Sequence, residues 1–312
     1  MPAQLQSWHR TVALAKETTW GTGITPTTTV PVSESTGQTN IEEIFDDGFR
    51  GQAGLVYDAK QGVGHGEVSF DGPVFPIEIG HLLMAIFGQD TLAGAGPYTH
   101  TFKVVALPPS YTIERLHGIG ANQAQRYTGA RCGSLGFSWD SASGFLGFSS
   151  QWQSKMGSVV TGANPIATAQ GFFPGRLGVV TSTNLTGRLV SGEFNLTREL
   201  EVRSVGGQQE PAHINVDRLD ATLSLMLLAE DLSDYTRYLT GVRQPVTLTL
   251  DDVAANNSIA FTITDCDLNA EPVEYDMGNI GQLVRIQGRG IFNATDVGPA
   301  AVVLENQRST AY

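Results

Sequence analysis

The sequence predicts a mainly β protein made of two tandem units, each with one flanking α-helix. Apolar and polar residues alternate over much of the 312-residue chain, which is the pattern of half-buried strands. Only two segments follow helical spacing instead, and they end at Gly88 and Gly241, 153 residues apart. This similar order of elements in both halves indicates a duplication. One large β domain with an accidental pseudo-repeat is the alternative.

Period-two alternation identifies the strands in chain order. In GEVSFDG, Val68 and Phe70 form an apolar face, while Glu67, Ser69 and Asp71 form a polar one. The same alternation predicts strands in GSLGFSWD and EFNLTRELEV, residues 133–140 and 193–202. These strands are therefore expected to bury one face and to leave the other polar.

A hairpin is predicted in PVTLTLDDVAANNSIAFTITD, residues 245–265. Two alternating runs flank a polar turn there, as they do in antiparallel hairpins. The apolar residues expected to face one another are Val246, Leu248 and Leu250 on the first strand and Ile259, Phe261 and Ile263 on the second.

Two segments carry apolar residues at helical spacing. In PIEIGHLLMAIFG the apolar stripe consists of Ile79, Leu82, Leu83 and Ile86. In LAEDLSDYTRYLTG it consists of Leu228, Leu232, Tyr235 and Leu239. Pro76 suits a first helical position, and Gly88 and Gly241 suit helix ends. Each predicted helix is about three turns long and suits packing on a sheet.

The domain boundaries follow from this repeated order. Gly51 and Gly207, each followed by Gln, mark a long loop in either half at a separation of 156 residues. A stretch rich in Gly, Ala, Thr and Pro lies between the halves and is typical of a linker. We therefore expect a first β domain with an N-terminal arm over 1–160, a linker over 161–175 and a second β domain over 176–312.

Composition excludes several classes of function. The net charge is −12, and Lys and Arg are spread singly, so binding of nucleic acid through phosphate neutralisation is not expected. The N-terminal decapeptide lacks the apolar core of a signal peptide, and no run of 18 apolar residues occurs. We expect a soluble chain made in the cytoplasm, without membrane insertion. Cys132 and Cys266 stand apart and are expected to be buried thiols.

No catalytic, cofactor-binding or metal-binding constellation is present in the sequence. Walker A, HExxH and GxSxG motifs are absent, and the six histidines lie in six separate segments. His65 and Glu67 share a Gly-rich stretch, which is weak support for a base and acid pair. The acidic stretch 267–278 has the wrong ligand spacing for an EF-hand and is interpreted as a solvated turn.

The stretch AKETTWGT, residues 15–22, has no partner for nucleophilic or metal chemistry and is interpreted as the entry to a β unit. Residues 15–18 are expected to end the first strand. Trp20 is expected to cover the edge of the core, and Gly21 to release the chain into a Thr- and Pro-rich arm.

The order of these motifs resembles that of a known family. LAKETTWGTGITPTTTVPVS, an acidic segment, a Gly-rich loop, a strand and the PIEIGHLLMAIFG helix follow one another over about residues 12–150. This order is similar to the tail tube (major tail) proteins of long-tailed bacteriophages. The second half matches it only in the order of elements.

The resemblance implies β-sandwich or barrel-like tail-tube units, each flanked by a helix, that assemble into stacked rings around a channel for DNA. The protein would be a structural virion protein of the tail, made in the cytoplasm of the bacterial host, without enzymatic activity or cofactor. Its partners would be other copies of itself, a tape-measure protein and the tail-end proteins. Members with one unit form hexameric rings, and those with two fused units can form trimeric rings of pseudo-sixfold symmetry.

Two sets of residues are candidates for roles in such a tube. The polar faces that would line the lumen consist of Glu67, Ser69, Asp71, Glu193, Asn195, Thr197, Glu199 and Glu201. Negative charge there would keep the phosphate backbone of passing DNA off the wall. The alternative is that these faces are outer surface. The candidates for ring-to-ring contact are Trp20, Gly51, Gln52, Tyr57 and Asp58.

Two other classes of function stay open at this point. A carbohydrate- or receptor-binding β module of a tail fibre or adhesin would need exposed aromatic side chains in a groove, for which Trp8, Trp20, Trp139 and Trp152 are available. Of these, Trp139 and Trp152 fit core strands better. A hydrolase that uses His65 with Glu67 is the third reading.

Overall fold

A computed structural model describes residues 10–48, 56–118, 122–142, 144–163, 165, 170–182, 185, 188–228, 241, 243–270 and 283–312. These residues form a mainly β protein, as the alternating sequence predicts. Every strand pairing is antiparallel, and the pairings join all the strands into one branched, continuous sheet.

The first half contains ten strands and one helix among its described residues. They are β1 (Thr11–Lys16), β2 (Thr28–Val30), β3 (Glu34–Asp46), β4 (Asp58–Pro73), α1 (Ile79–Phe87), β5 (Gly88–Ala93), β6 (Tyr98–Val104), β7 (Tyr111–Leu116), β8 (Ala124–Asp140), β9 (Gly147–Ser154) and β10 (Ser158–Val160).

The second half begins with a 3-10 turn and continues as strands. They are the turn Gly175–Leu177, β11 (Gly178–Thr181), β12 (Leu189–Arg203), β13 (His213–Leu228), β14 (Gln244–Asp252), β15 (Asn257–Ala270), β16 (Leu283–Gly290) and β17 (Ala301–Asn306).

One layer of the molecule is a long sheet with the strand order β3-β4-β9-β8-β12-β13-β16-β15. The two halves of the chain meet in it where β8 pairs with β12, from Asp140 opposite Ser191 to Ser134 opposite Thr197. The remaining strands branch from β8 and β15. The first part of β8 pairs with β7 and β10, and the first part of β15 pairs with β14 and β17.

The two halves follow the same order of pairings. In each half, the second strand of a long hairpin pairs with a third strand, and that third strand pairs with the strand that precedes it in sequence. The resulting orders are β3-β4-β9-β8 and β12-β13-β16-β15. Both hairpins have a β-bulge at the corresponding place, between Ile41 and Glu43 and between Arg198 and Leu200. The division into domains at 1–160, 161–175 and 176–312 stays a prediction.

A single hydrophobic core serves both halves. Phe137 of β8 and Phe194 of β12 both contact Phe261 of β15, with ring centroids 4.6 and 5.0 Å apart. Trp139 and Trp152 are 4% and 2% exposed, which confirms their predicted place in core strands. Cys132 and Cys266 are free and buried, as expected, and burial raises the pKa of both thiols.

The first predicted helix is confirmed. α1 ends where Gly88 adopts a φ of 93°, a conformation that glycine reaches without steric cost, and this glycine ends the helix as predicted. The second predicted helix lies outside the described residues except at its ends. Leu228, the first position of its apolar stripe, is the last residue of β13, so the prediction of a helix is wrong at this residue.

The predicted hairpin is confirmed as β14 and β15. Val246 faces Ile263, Leu248 faces Phe261, and Leu250 faces Ile259. All six side chains are buried, because the period of two brings every second residue of both strands to the core face.

Glu17 explains the stretch AKETTWGT at the end of β1. Its buried carboxylate accepts hydrogen bonds from the hydroxyls of Ser110 and Thr112 at 2.7 and 2.9 Å. It also accepts the backbone N–H groups of Gly21 and Gly129 at 2.9 and 2.8 Å. The motif therefore fastens the turn after β1 to β7 and β8.

The connection between the halves runs along the first half. Phe173 is 1% exposed, and its backbone carbonyl accepts the N–H of Leu146 at 2.8 Å. The carboxylate of Glu114 accepts the backbone N–H of Ala163 at 2.9 Å. The described residues of the predicted linker thus make specific contacts with the body.

Candidate functional site

The polar residues of β4 lie on one face of the long sheet. Val68 and Phe70 point into the core and are each 2% exposed. Glu67, Ser69 and Asp71 alternate with them and are partly exposed on the opposite face. The period of two in GEVSFDG produces this separation.

The polar residues of β12 lie on the same face as those of β4. A row of neighbouring residues runs across four strands: Ser69 faces Gln151, Gln151 faces Ser134, and Ser134 faces Thr197. Residues that face one another across a ladder share a face of the sheet. The six predicted residues 67, 69, 71, 193, 195 and 197 therefore belong to one continuous surface, which we call the polar face.

Glu199 and Glu201 continue the polar side of β12 beyond its bulge, and both are exposed. Glu201 lies opposite Asn215 and forms an ion pair of 2.6 Å with Arg203. Because both partners are more than half exposed, this ion pair contributes little to stability.

The polar face is concave. A hollow of about 1060 Å³ lies over it and is lined by residues of seven strands, β3, β4, β9, β8, β12, β13 and β16. Two smaller hollows of about 430 and 380 Å³ lie farther along the same face, around Glu193 and Asn195. The long sheet therefore curves around this surface.

Charge on the polar face is mainly negative. The carboxylates that alternate with core residues on these strands are Glu34, Glu67, Asp71, Asp140, Glu193, Asp220 and Asp267, and the basic residues are Arg285 and Arg289. Arg289 is paired with Asp220 at 2.9 Å, so its charge is partly compensated. The strands in the middle, β9 and β8, contribute uncharged Ser, Gln and Gly over residues 134–138 and 149–153, and β8 adds a charge only at its end, at Asp140.

Two carboxyl groups of the first hairpin are shifted in opposite directions. Hydrogen bonds from Gln38, at 2.9 Å, and from His65 lower the pKa of Glu67. Burial and the carboxylate of Glu34 on the facing strand raise the pKa of Asp71. The negative charge is therefore held more firmly at Glu67 than at Asp71.

A buried arginine supports the polar face at the junction of the halves. Arg198 is 4% exposed and donates to the backbone carbonyls of Val105 and Asp217 at 2.9 and 3.3 Å. Burial lowers its pKa to about 10. Its bond to Val105 ties the second hairpin to the first half of the chain.

Three of the candidates for ring-to-ring contact, Trp20, Tyr57 and Asp58, lie within the described residues. Trp20 is half-buried and donates its indole N–H to the carbonyl of Gly129 at 3.2 Å, and its ring lies 5.1 Å from that of His213. Tyr57 and Asp58 lie at the end of the first hairpin. Gly51 and Gln52 lie outside the described residues.

Sequence reasoning missed the β9 part of the polar face. Ser149, Gln151 and Gln153 alternate with the buried residues Phe148 and Trp152. The same alternation is visible in the letters FSSQWQS and could have revealed these residues. The pairing of β8 with β12, which joins the two predicted faces, leaves no comparable signal because its partners are far apart in sequence.

The alternative readings gain little from the structure. Trp139 and Trp152 are buried and cannot stack on a sugar. His65 Nε2 lies 3.3 Å from Glu67 Oε1, but that carboxylate also accepts a hydrogen bond from Gln38 and takes part in the polar face. Within the described ranges, no group of three His, Cys, Asp or Glu residues is placed to hold a metal ion.

The comparison with known proteins points in one direction. A protein-family model described as phage tail tube protein matches residues 8–304, which is nearly the whole chain. No individual curated protein matches the sequence. The part of the chain that the structure describes has no helix long and apolar enough to cross a membrane.

Proposed function

The chain belongs to the phage tail tube protein family, whose members are structural proteins of the virion tail, and from this premise we propose that three copies close into a ring of pseudo-sixfold symmetry. Such rings stack into a tube, and the polar face lines its channel. Two strand edges of the long sheet carry this proposal.

Both ends of the long sheet present open strand edges. In the described part of the chain, β3 pairs only with β4, and residues 267–270 of β15 pair only with β16. Open edges are templates for pairing with another chain. A closed ring in which the β15 edge of one copy pairs with the β3 edge of the next removes both edges.

The pairing of β8 with β12 inside the chain supplies the register for the proposed pairing of β15 with β3 of the next copy. Thr197 lies one residue before Arg198, where the register shift of the second hairpin begins, as Asn40 lies one residue before Ile41 in the first hairpin. Ser134 faces a glutamine of β9, as Asn269 faces one of β16. The pairing of Ser134 with Thr197 therefore predicts a pairing of Asn269 with Asn40 of the neighbouring copy.

The stagger of the strands supports closure. The row of facing residues begins at Thr36 of β3 and reaches Thr197 of β12. Thr197 corresponds to Asn40, which lies four residues after Thr36, so the row shifts by four residues along the strands from the first half to the second. A stagger of about four residues over four strands gives a strand tilt of roughly 35°. Strands of closed barrels have tilts of about 35–45°.

Three copies contribute more strands than the roughly 16 to 18 of porin barrels, which already enclose an aqueous channel. The polar face is concave and therefore suits the inside of such a barrel. Its excess of carboxylates repels the phosphate backbone, so DNA passes without binding. We propose a tape-measure protein and the tail-end proteins as further partners, and assembly in the cytoplasm of the bacterial host.

The connection between β3 and β4, together with the first residue of β4, is the proposed site of ring stacking. Tyr57 and Asp58 lie there, and Gly51 and Gln52 belong to the same connection between β3 and β4. Trp20 contacts Gly129 and His213 of its own chain, so we expect it to affect stacking only indirectly, by holding these residues in place.

A pair of cysteines tests the proposed ring. Asn40→Cys combined with Asn269→Cys should form disulfides between copies, and denaturing gels under non-reducing conditions should show covalent dimers and trimers. Ser134→Cys with Thr197→Cys is the matched control, because it tests the same pairing within one chain. The native thiols are buried and do not compete.

The control must give a disulfide within the chain for the comparison to be valid. Covalent ladders that end at six copies would contradict the trimeric ring. A purified protein that forms neither rings nor intermolecular disulfides, even with other tail components supplied, would contradict the proposed function.

A further inference from the structure

The ends of the two long hairpins are built alike but are covered differently. Beyond the bulge of the second hairpin, Val202 is half-buried and faces Ile214, which is fully buried. At the corresponding place in the first hairpin, Phe45 faces Ala59, and Phe45 is 53% exposed. The first hairpin thus exposes an aromatic side chain where the second is covered.

The body of the first half covers the end of the second hairpin. The carbonyl of Gln209 accepts the backbone N–H of Gly64 at 2.9 Å. The carboxylate of Glu210 lies 3.7 Å from the ammonium of Lys155, directly after β9. This contact joins the second half to the first across the junction between β8 and β12. If the same junction is repeated between copies in a ring, the end of the first hairpin would contact the second half of the neighbouring copy in the same way.

An exposed aromatic residue lies directly after Ile291, which occupies the place of Lys155 in the second half. β9 ends at Ser154 and β16 ends at Gly290, and these strands occupy the same position in the two halves. The residues that follow are Lys155 in one case and Ile291 and Phe292 in the other. Phe292 is 72% exposed.

Charge at the two surfaces is complementary. The end of the first hairpin carries Glu42 and Glu43, both exposed. Lys103 lies beside the segment after β16, where its ammonium donates to the carbonyl of Thr295 at 2.8 Å. Opposite charges at the rim of an apolar contact favour the correct encounter.

We propose that the end of the first hairpin docks sideways on a second copy of this chain in the same ring, with Phe45 against Phe292. This contact repeats between copies the one that the second hairpin makes within the chain. It explains the exposure of Phe45 and Phe292, since a ring covers both. The inference rests on the proposed ring.

Site-directed cross-linking tests this contact. Chains with Phe45→Cys and chains with Phe292→Cys are mixed, assembled into single rings and treated with a short bismaleimide. We expect a covalent dimer that contains one chain of each kind. Val253→Cys in place of Phe292→Cys is the control, because Val253 is 74% exposed at the turn between β14 and β15, and we expect no dimer with it.

The outcomes separate this inference from the proposed function. Unmodified protein that forms no rings overturns both. Rings without the cross-link between residues 45 and 292, equal cross-linking of the Val253→Cys control, or a cross-link that forms only in stacked tubes overturns the sideways contact alone.

A second variant tests the energetics of the contact. Phe45→Ser should raise the protein concentration needed for half-maximal ring formation roughly tenfold, since an aromatic side chain is no longer buried. The unfolding temperature of the monomer should stay unchanged, because Phe45 is half exposed in it. Val253→Ser should change neither quantity. Unchanged assembly of Phe45→Ser would overturn the contact.

Discussion

Glu17 shows how a single charged residue fixes the start of the fold. Its carboxylate satisfies four donors that come from three parts of the chain, and it is 7% exposed. Charge-assisted hydrogen bonds of this kind are stronger than neutral ones. The residue therefore acts as a structural centre, and the adjacent Trp20 covers the same place.

Replacement of Glu17 by Ala should lower the free energy of unfolding by about 2–4 kcal/mol, because buried donors lose their acceptor. Urea denaturation at neutral pH measures this change. Glu42→Ala, on the exposed end of the first hairpin, is the matched control and should cost at most about 0.5 kcal/mol. Equal effects of the two substitutions would contradict the role of Glu17.

His81 of α1 should make the fold sensitive to acid. Burial, followed by the charges of Arg308 and Lys16, lowers the pKa of His81 to about 3. The unfolded chain takes up this proton near pH 6.5, while the folded protein does not until about pH 3. Stability is therefore fully present above pH 6.5 and falls as the pH is lowered from there toward 3, by at most about 1.4 kcal/mol per pH unit.

The measurement compares the pH dependence of the free energy of unfolding of the natural chain with that of His81→Gln between pH 7 and pH 4. The natural chain should lose stability more steeply, whatever the difference in absolute stability at pH 7. Parallel curves would show that His81 takes up its proton equally in both states.

Single residues differ in how far their roles could be predicted from the sequence. Gly88 could be assigned to a helix end because the signal is local. Trp139 could be assigned to the core because it lies in an alternating strand. The role of Glu17 could not be predicted, since its partners Ser110 and Gly129 lie about a hundred residues away and carry no mark in the sequence.

At the scale of elements, shared strands lock the two halves together. β8 pairs with β12, and β17 lies between β15 of the second half and β6 of the first. Neither half has a complete sheet without strands of the other. We therefore expect the described body of the protein to unfold in one cooperative transition.

Leu304→Ala tests this cooperativity. Leu304 of β17 is fully buried, and its loss should cost about 2–5 kcal/mol. Calorimetry should show one transition that moves as a whole to lower temperature. Two transitions, of which only the later or only the earlier moves, would show that the halves unfold independently.

The sequence reveals elements whose signal is periodic and conceals those that depend on distant pairing. The register of β14 and β15 follows from alternation around a short turn. The hairpin of β5 and β6 is not among the predicted elements, because apolar and polar residues do not alternate in GQDTLA, the sequence of β5. The place of β17 depends on its pairing with β6, whose paired residues lie at least 200 positions earlier in the sequence.

At the scale of the whole molecule, the polar face joins residues that the sequence places in separate segments. The alternation identified the polar sides of β4 and β12, and the pairing through β9 and β8 puts them on one concave surface. The curvature could not be predicted from the sequence, because it is a property of the complete sheet.

Neutralisation of this surface should change DNA passage but not assembly. The triple variant Glu193→Gln, Glu199→Gln and Glu201→Gln should form rings at the natural concentration, since these side chains are exposed. DNA ejection from phage that carry it should be slower, and the difference should shrink at high salt because charge is then screened. Time-resolved ejection measures both effects.

Asp251→Asn with Asp252→Asn is the control for loss of negative charge elsewhere on the molecule, because these residues lie on β14, outside the long sheet. We expect normal ejection from this variant. Equal slowing in both variants would show that the polar face does not line the channel.

The central claim is that three copies form a closed ring with six similar units around a channel. Cryo-electron microscopy of purified rings, with the mass of the same particles measured by native mass spectrometry, tests it most directly. We predict particles of about sixfold appearance whose mass is that of three 33.3 kDa chains. Rings with the mass of six chains, or particles without a closed wall, would contradict this account.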